Sequence, residues 1–190
     1  MGDGEVRRGL RPFQSSAQSR KRDAQRRGRR LRCKTLRGAI QNAALSLYQG
    51  SMHSHQRRIG HKRCGAAASV HKQNVSVLSR VETFEQLYQT MEKAIGGMKE
   101  IGPLSCYDVA HRIGISRKIS PTEVYLHAAT LDGAKKVGAT IGKLTKIPMS
   151  DLPRVLRSPT AEEAEDFLRH CSSGRFGGDC AGRRLKGACW

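Results

Sequence analysis

The stretch EIGPLSCYDVAHRIG, Glu100–Gly114, sets a tight glycine–proline turn directly in front of a run at helical spacing. Val109, Ala110 and Ile113 recur as one face of a helix, Ser105 and Asp108 have the spacing of a capping box, and Gly114 reads as its stop. Immediately upstream, TFEQLYQTMEKAIGGM starts at Thr83, with Gln86 three residues on as a second capping box. Phe84, Leu87, Tyr88, Met91, Ile95 and Met98 form an apolar stripe along that segment. Two helices joined by the turn Ile101, Gly102, Pro103 and Leu104 therefore anchor the fold, over residues 83–114.

The same signals extend outward. Thr35 can cap a helix through about Leu47, with Leu36, Ile40, Ala43, Ala44 and Leu47 on one side. Residues 65–80 read as a linker or a short helix. Ser120, Pro121 and Glu123 form a third capping-box pattern, predicting a helix with Val124, Tyr125, Ala128 and Leu131 inward, although VYLHA alone also suits a strand. Asp132–Val137 reads as one more short helix closed by Gly138. Ser158 and Pro159 start a last helix with Ala161, Ala164, Leu168 and Cys171 inside. The expected fold is all-α, a small multi-helix domain over residues 35–171. Before it, residues 1–34 are expected to be a disordered basic arm, since Leu10, Phe13 and Leu31 are too few to offset the entropy of ordering. After it, residues 172–190 are rich in Gly and Arg and read as a flexible tail.

Charge divides the chain sharply. Residues 1–80 hold 19 Lys and Arg against 3 Asp and Glu, a net of +16, whereas residues 81–190 hold 16 against 13, a net of +3. A basic arm on a nearly balanced domain points to a polyanionic partner. No apolar run approaches the roughly 20 residues of a membrane-spanning helix. The charged start lacks an apolar core, so no secretory leader is expected and the expected location is cytoplasmic. Six cysteines without a CxxC pair argue against a zinc ribbon, and in that compartment the thiols are expected to be reduced. His53, His55, His61 and Cys64 cluster in sequence without a recognised ligand spacing, so neither metal nor cofactor is expected.

The outline helix, turn with a hydrophobic–Gly–x–hydrophobic core, helix is that of a helix-hairpin-helix unit. Such a turn can present backbone N–H groups at a helix N-terminus to a DNA phosphate, and a glycine keeps Cβ out of the way. Gly102 and Ser105 are the candidate contacts at the turn, with Lys99, Arg112, Arg117 and Lys118 as the candidate cations. Two residues oppose this use. Glu100 stands where the usual Gly–x–Gly hairpin has its first glycine, and Pro103 removes an N–H. Helix-hairpin-helix DNA glycosylases carry a catalytic Asp downstream of the hairpin, and bifunctional ones a Lys in the following helix. SCYDVAHRIG contains no Lys, and Asp132 is the downstream acid. His111 and His127 are candidates for acid–base work by residue type, and Cys106 lies near a helix start, but these residues define no nucleophile, base and orienter set.

HSHQRRI (His53–Ile59), YDVAHRIG (Tyr107–Gly114) and VYLHAATLDGAKKVG (Val124–Gly138) resemble a family of uncharacterised bacterial proteins. Its expected patterns are H-P-H-Q, G-I-G-x-L-T-x-Y-D-x-A-x-R-I-G and V-Y-L-H-A-G-T-x-x-G-A. The chain departs from them at Ser54, Glu100 and Ala129. The resemblance covers roughly residues 35–140; it implies a shared fold and brings no activity with it. Three functional readings stand at this point: non-specific DNA binding by the arm and the turn, a glycosylase-like enzyme acting on nucleic acid, and a protein–protein interaction module.

Overall fold

A computed structural model describes residues 35–45, 47–48, 51–52, 73–99, 101–142 and 145–173, with Gly4, Val6, Arg7, Gly9, Leu10, Gly65 and Ala67. The described residues are mostly helical, as the capping and stripe patterns predict. The elements are helix α1 (Leu36–Leu45), strands β1 (Leu47–Tyr48) and β2 (Ser51–Met52), then helices α2 (Val75–Arg80), α3 (Phe84–Ile95) and α4 (Pro103–Arg117). Strand β3 (Glu123–Tyr125), helix α5 (Ala128–Lys136), strand β4 (Lys146–Pro148) and helix α6 (Ala161–Ser172) follow, with two 3-10 turns between β4 and α6. The chain divides into two compact units. A central unit takes Ala24–Ser120 with Gly187–Trp190, and a second unit takes Pro121–Lys186 with Met1–Asp23. The stretch 35–171, expected as one domain, contributes to both.

In the central unit α4 is the middle element, packed against α3 on one side and α1 on another. This placement explains why α4 is buried around much of its girth, through Ser105, Cys106, Tyr107, Val109, Ala110, Ile113 and Gly114. Helix α3 starts as predicted. Thr83 Oγ1 accepts from the Gln86 amide at 3.2 Å, and Gln86 Oε1 accepts from the amides of Thr83 at 3.3 Å and Glu82 at 3.0 Å. Its stripe of Phe84, Leu87, Tyr88, Met91 and Ile95 is buried. Thr35 also caps as expected, accepting from Gly38 N at 3.1 Å. Helix α1 stops at Leu45, however, and Leu47 pairs with Met52 in the β1–β2 hairpin.

Both ends of α4 differ from the sequence expectation. Gly102, not Ser105, is the N-cap, because Pro103 at the first helical position fixes the start three residues earlier. Ser105 then lies inside the first turn, buried, with its amide donating to Gly102 O at 2.9 Å. At the other end Gly114 does not stop the helix. Lys118 does, in the left-handed conformation (φ 60°, ψ 35°), with the Ile119 amide closing back onto Gly114 O at 2.9 Å. Gly114 serves packing instead: a Cβ there would overlap the Ile119 carbonyl oxygen and lie 3.7 Å from Leu87.

In the second unit the helix expected from Ser120 is replaced by β3. Val124 pairs with Ile147 and Tyr125 with Lys146 in an antiparallel register, so VYLHA takes its strand alternative. The following helix absorbs both expected helical pieces as one, α5, with His127 as N-cap and Gly138 (φ 77°) beyond its end. The Ala139 amide donates to Ala134 O at 3.0 Å, completing that stop. Helix α6 starts two residues later than predicted, at a capping box of Thr160 and Glu163. Its inner residues Ala161, Ala164, Leu168 and Cys171 are buried as expected, with Phe167 added. They join Val124, Ala134, Val137, Ile147, Leu152 and Leu156 in one apolar core. Val6 and Leu10 belong to the same core. The disordered arm expected over residues 1–34 lies, apart from Gly4, Val6, Arg7, Gly9 and Leu10, outside the described residues.

Candidate nucleic-acid interface

The six candidate phosphate contacts all belong to the central unit, but α4 does not gather them. Helix α4 has 15 residues, and at about 1.5 Å per residue its two ends lie roughly 20 Å apart. Gly102 caps the N-terminal end and Lys99 stands exposed in the turn just before it. Lys118 is also exposed, but at the C-terminal end.

The two arginines are held within the unit. Arg112 Nη1 donates to Ala43 O, in the last turns of α1, at 3.3 Å, and its Nη2 lies 3.7 Å from Asp108 Oδ2. Arg117 Nη1 donates to Leu78 O and its Nη2 to Ser79 O at 3.1 Å. Both cations therefore satisfy carbonyls near the C-terminal end of a neighbouring helix, where the helix dipole also favours positive charge. They fasten α4 to α1 and α2 rather than extend from the surface. Ser105, being buried, is likewise withdrawn from any contact with a macromolecule.

What remains is the turn itself. Gly102 has ordinary extended dihedrals (φ −96°, ψ 178°), and a Cβ built there meets nothing within 4 Å. Neither backbone conformation nor internal packing demands glycine. The turn's own hydrogen bonds run from Ile101 N to Met98 O at 3.0 Å, and from Ser105 N and Cys106 N to Gly102 O at 2.9 and 3.2 Å. Among the described residues, the amides of Gly102 and Leu104 have no backbone partner in this turn. Gly102 and Lys99 are both exposed at the N-terminal end of α4, the positive end of its dipole. Glu100, whose carboxylate would oppose an anion, lies outside the described residues.

The residues considered for acid–base or nucleophilic work have other surroundings. His111 stacks on Tyr107, ring centroids 5.9 Å apart and planes 8° apart, and Tyr107 meets Phe84 edge-on at 5.5 Å. Asp132 pairs with Lys136 at 3.1 Å. The hydrogen bond from Lys136, with a further one from Ser172, holds its carboxyl below the usual carboxylate range. An acid so placed keeps no proton to donate near neutrality. His127 ends the β3–α5 link, its carbonyl accepting from Leu131 N at 2.7 Å and from the buried Thr130 hydroxyl at 2.9 Å. Burial pushes the Cys106 thiol from 9.0 up to about 11, the opposite of an activated nucleophile. His111 and Cys106 belong to the central unit, His127 and Asp132 to the second. His53, His55, His61 and Cys64 lie outside the described residues, and among those described no group of three or more His, Cys, Asp or Glu could hold a metal ion. No described helix is long and apolar enough to cross a membrane.

Comparison with protein-family models gives no match, and neither does comparison with curated proteins or with solved structures.

Proposed function

We propose that this protein binds DNA without sequence specificity, through the basic residues of its first 80 positions, with the α3–α4 turn as a secondary phosphate contact. The observation that carries the reading is the charge asymmetry, +16 in residues 1–80 against +3 in the rest. A cationic stretch of that density binds a phosphate backbone by releasing condensed counterions, which needs no folded recognition surface. The turn supports the reading at a second point, through Gly102, open to approach, and Lys99, exposed beside it. Arg112 and Arg117 have no part in it, because their guanidinium groups satisfy carbonyls inside the unit.

The test is a salt titration of binding to duplex and single-stranded DNA, read by fluorescence anisotropy. With about 6–10 phosphates neutralised, affinity falls by roughly 10³–10⁵ between 50 and 200 mM salt. Lys99→Glu weakens duplex binding several-fold and lowers the salt slope by about 1, while Arg117→Ala leaves the slope unchanged. Absence of binding at low salt refutes the proposal; intact arm-dependent binding with a silent Lys99→Glu removes the turn from it.

A further inference from the structure

Of the described residues near the start of the chain, Val6, Gly9 and Leu10 are buried while Gly4 and Arg7 are exposed. Positions 6, 9 and 10 are the i, i+3, i+4 face of one helical turn, and residues 4, 6, 7, 9 and 10 are all helical. This is how a short amphipathic helix seats on an apolar surface. The surface belongs to the second unit, whose core of Val124, Val137, Ile147, Leu152, Leu156 and Leu168 includes Val6 and Leu10.

Two features set this segment apart from the rest of that core. Helix α6 supplies five buried apolar or small side chains, Ala161, Ala164, Phe167, Leu168 and Cys171, whereas the described residues of the N-terminal turn supply two, Val6 and Leu10. The turn also includes Gly4 and Gly9, and glycine is a poor helix former. A single helical turn does not persist in water alone, so the order of Val6, Gly9 and Leu10 depends on being seated. We propose that the N-terminal residues around Val6, Gly9 and Leu10 are a latch, a helical turn of this chain seated on the apolar face of its own second unit, that opens without unfolding the unit. Leu10 leads directly into residues 11–34, which carry 10 Lys and Arg against 1 Asp. Seating therefore pins the start of the basic run to the second unit, and opening releases it. The latch does not depend on what the basic run binds.

Hydrogen–deuterium exchange on the full chain tests it. Amides of residues 6–10 exchange at least about tenfold faster than those of α6, yet at least about tenfold slower than a free peptide of the same sequence. Leu10→Ala speeds exchange at 6–10 and leaves α6 unchanged; V6D/L10D abolishes protection at 6–10 and still leaves α6 protected. Equal protection in the segment and α6 overturns the latch, as does loss of α6 protection in Leu10→Ala, because the segment is then integral core. Free-peptide exchange at 6–10 overturns it by showing no seating. Protection that rises with protein concentration, alongside a dimer in sedimentation, overturns it in favour of exchange between copies.

Discussion

Gly133→Ala places one methyl group where α5 meets α6, and the structure fixes its effect. A Cβ at Gly133 would overlap the Leu168 carbonyl oxygen and lie 2.6 Å from the Leu168 carbonyl carbon and 3.0 Å from its Cα. All three atoms are backbone of α6, so no side chain can rotate away and relieve the overlap. The helices must separate instead, around a core containing Ala134, Phe167 and Leu168. Overpacking of this kind costs about 1–3 kcal/mol, and a rigid backbone partner puts this site at the upper end. In an isolated helix the same change stabilises by about 1 kcal/mol, through the higher propensity of alanine. The net expectation is a loss of about 2 kcal/mol. Urea unfolding followed by far-UV circular dichroism measures it, with hydrogen exchange localising the loss to α5 and α6. Gly97→Ala is the control, because a Cβ there meets nothing within 4 Å. A Gly133→Ala protein as stable as the original refutes the close approach of the two helices, and a more stable one refutes it more strongly.

Arg117→Ala leaves the carbonyls of Leu78 and Ser79 without their cationic donor and costs about 1.5–3 kcal/mol in urea unfolding. Lys118→Gly stabilises the central unit by about 1 kcal/mol, since it removes the Cβ strain of a left-handed residue at φ 60°; an unchanged midpoint argues against that conformation. Burial raises the thiols from 9.0 to about 11 at Cys106 and about 12 at Cys171, and the Tyr88 hydroxyl from 10.0 to about 12. Raised acids bind protons more tightly folded than unfolded. The contribution of these three groups to stability is therefore constant below about pH 9 and is lost as pH rises from there towards 12. Alkaline unfolding followed by circular dichroism checks the sign. In native protein at pH 8, mass spectrometry after brief iodoacetamide treatment should find Cys106 and Cys171 unmodified; rapid labelling of either contradicts its burial.

Much of the candidate interface was legible as residue types and little as arrangement. Gly102 and Lys99 are three residues apart in the chain, so the sequence places them near each other without help. Arg112, Arg117 and Lys118 look like their companions because they are cationic and close in sequence. One helix nevertheless separates Lys118 from the turn by its full length, and the two arginines find their partners in Ala43, Leu78 and Ser79. Those partners lie 69, 39 and 38 residues away, beyond any local pattern.

By itself the sequence determined what rests on contacts within a few residues. The Thr83–Gln86 capping box, the stripe of α3, the inner face of α6 and the stop at Gly138 all follow from hydrogen bonds or spacings spanning five residues or fewer. The charge asymmetry, a covalent property, is equally plain. Only the tertiary structure decided among local signals of equal form. Ser105–Asp108 and Ser120–Glu123 share the spacing of the Thr83–Gln86 box, yet neither starts a helix. Pro103 sets the start of α4 at Gly102, and Val124 gains a cross-strand partner in Ile147, 23 residues on. Val6 and Leu10 look isolated in a polar, basic stretch, and they are buried only because a core built from residues 124–171 offers them a face. A local hydrogen bond is available whatever the rest of the chain does; burial depends on surfaces that exist only after folding.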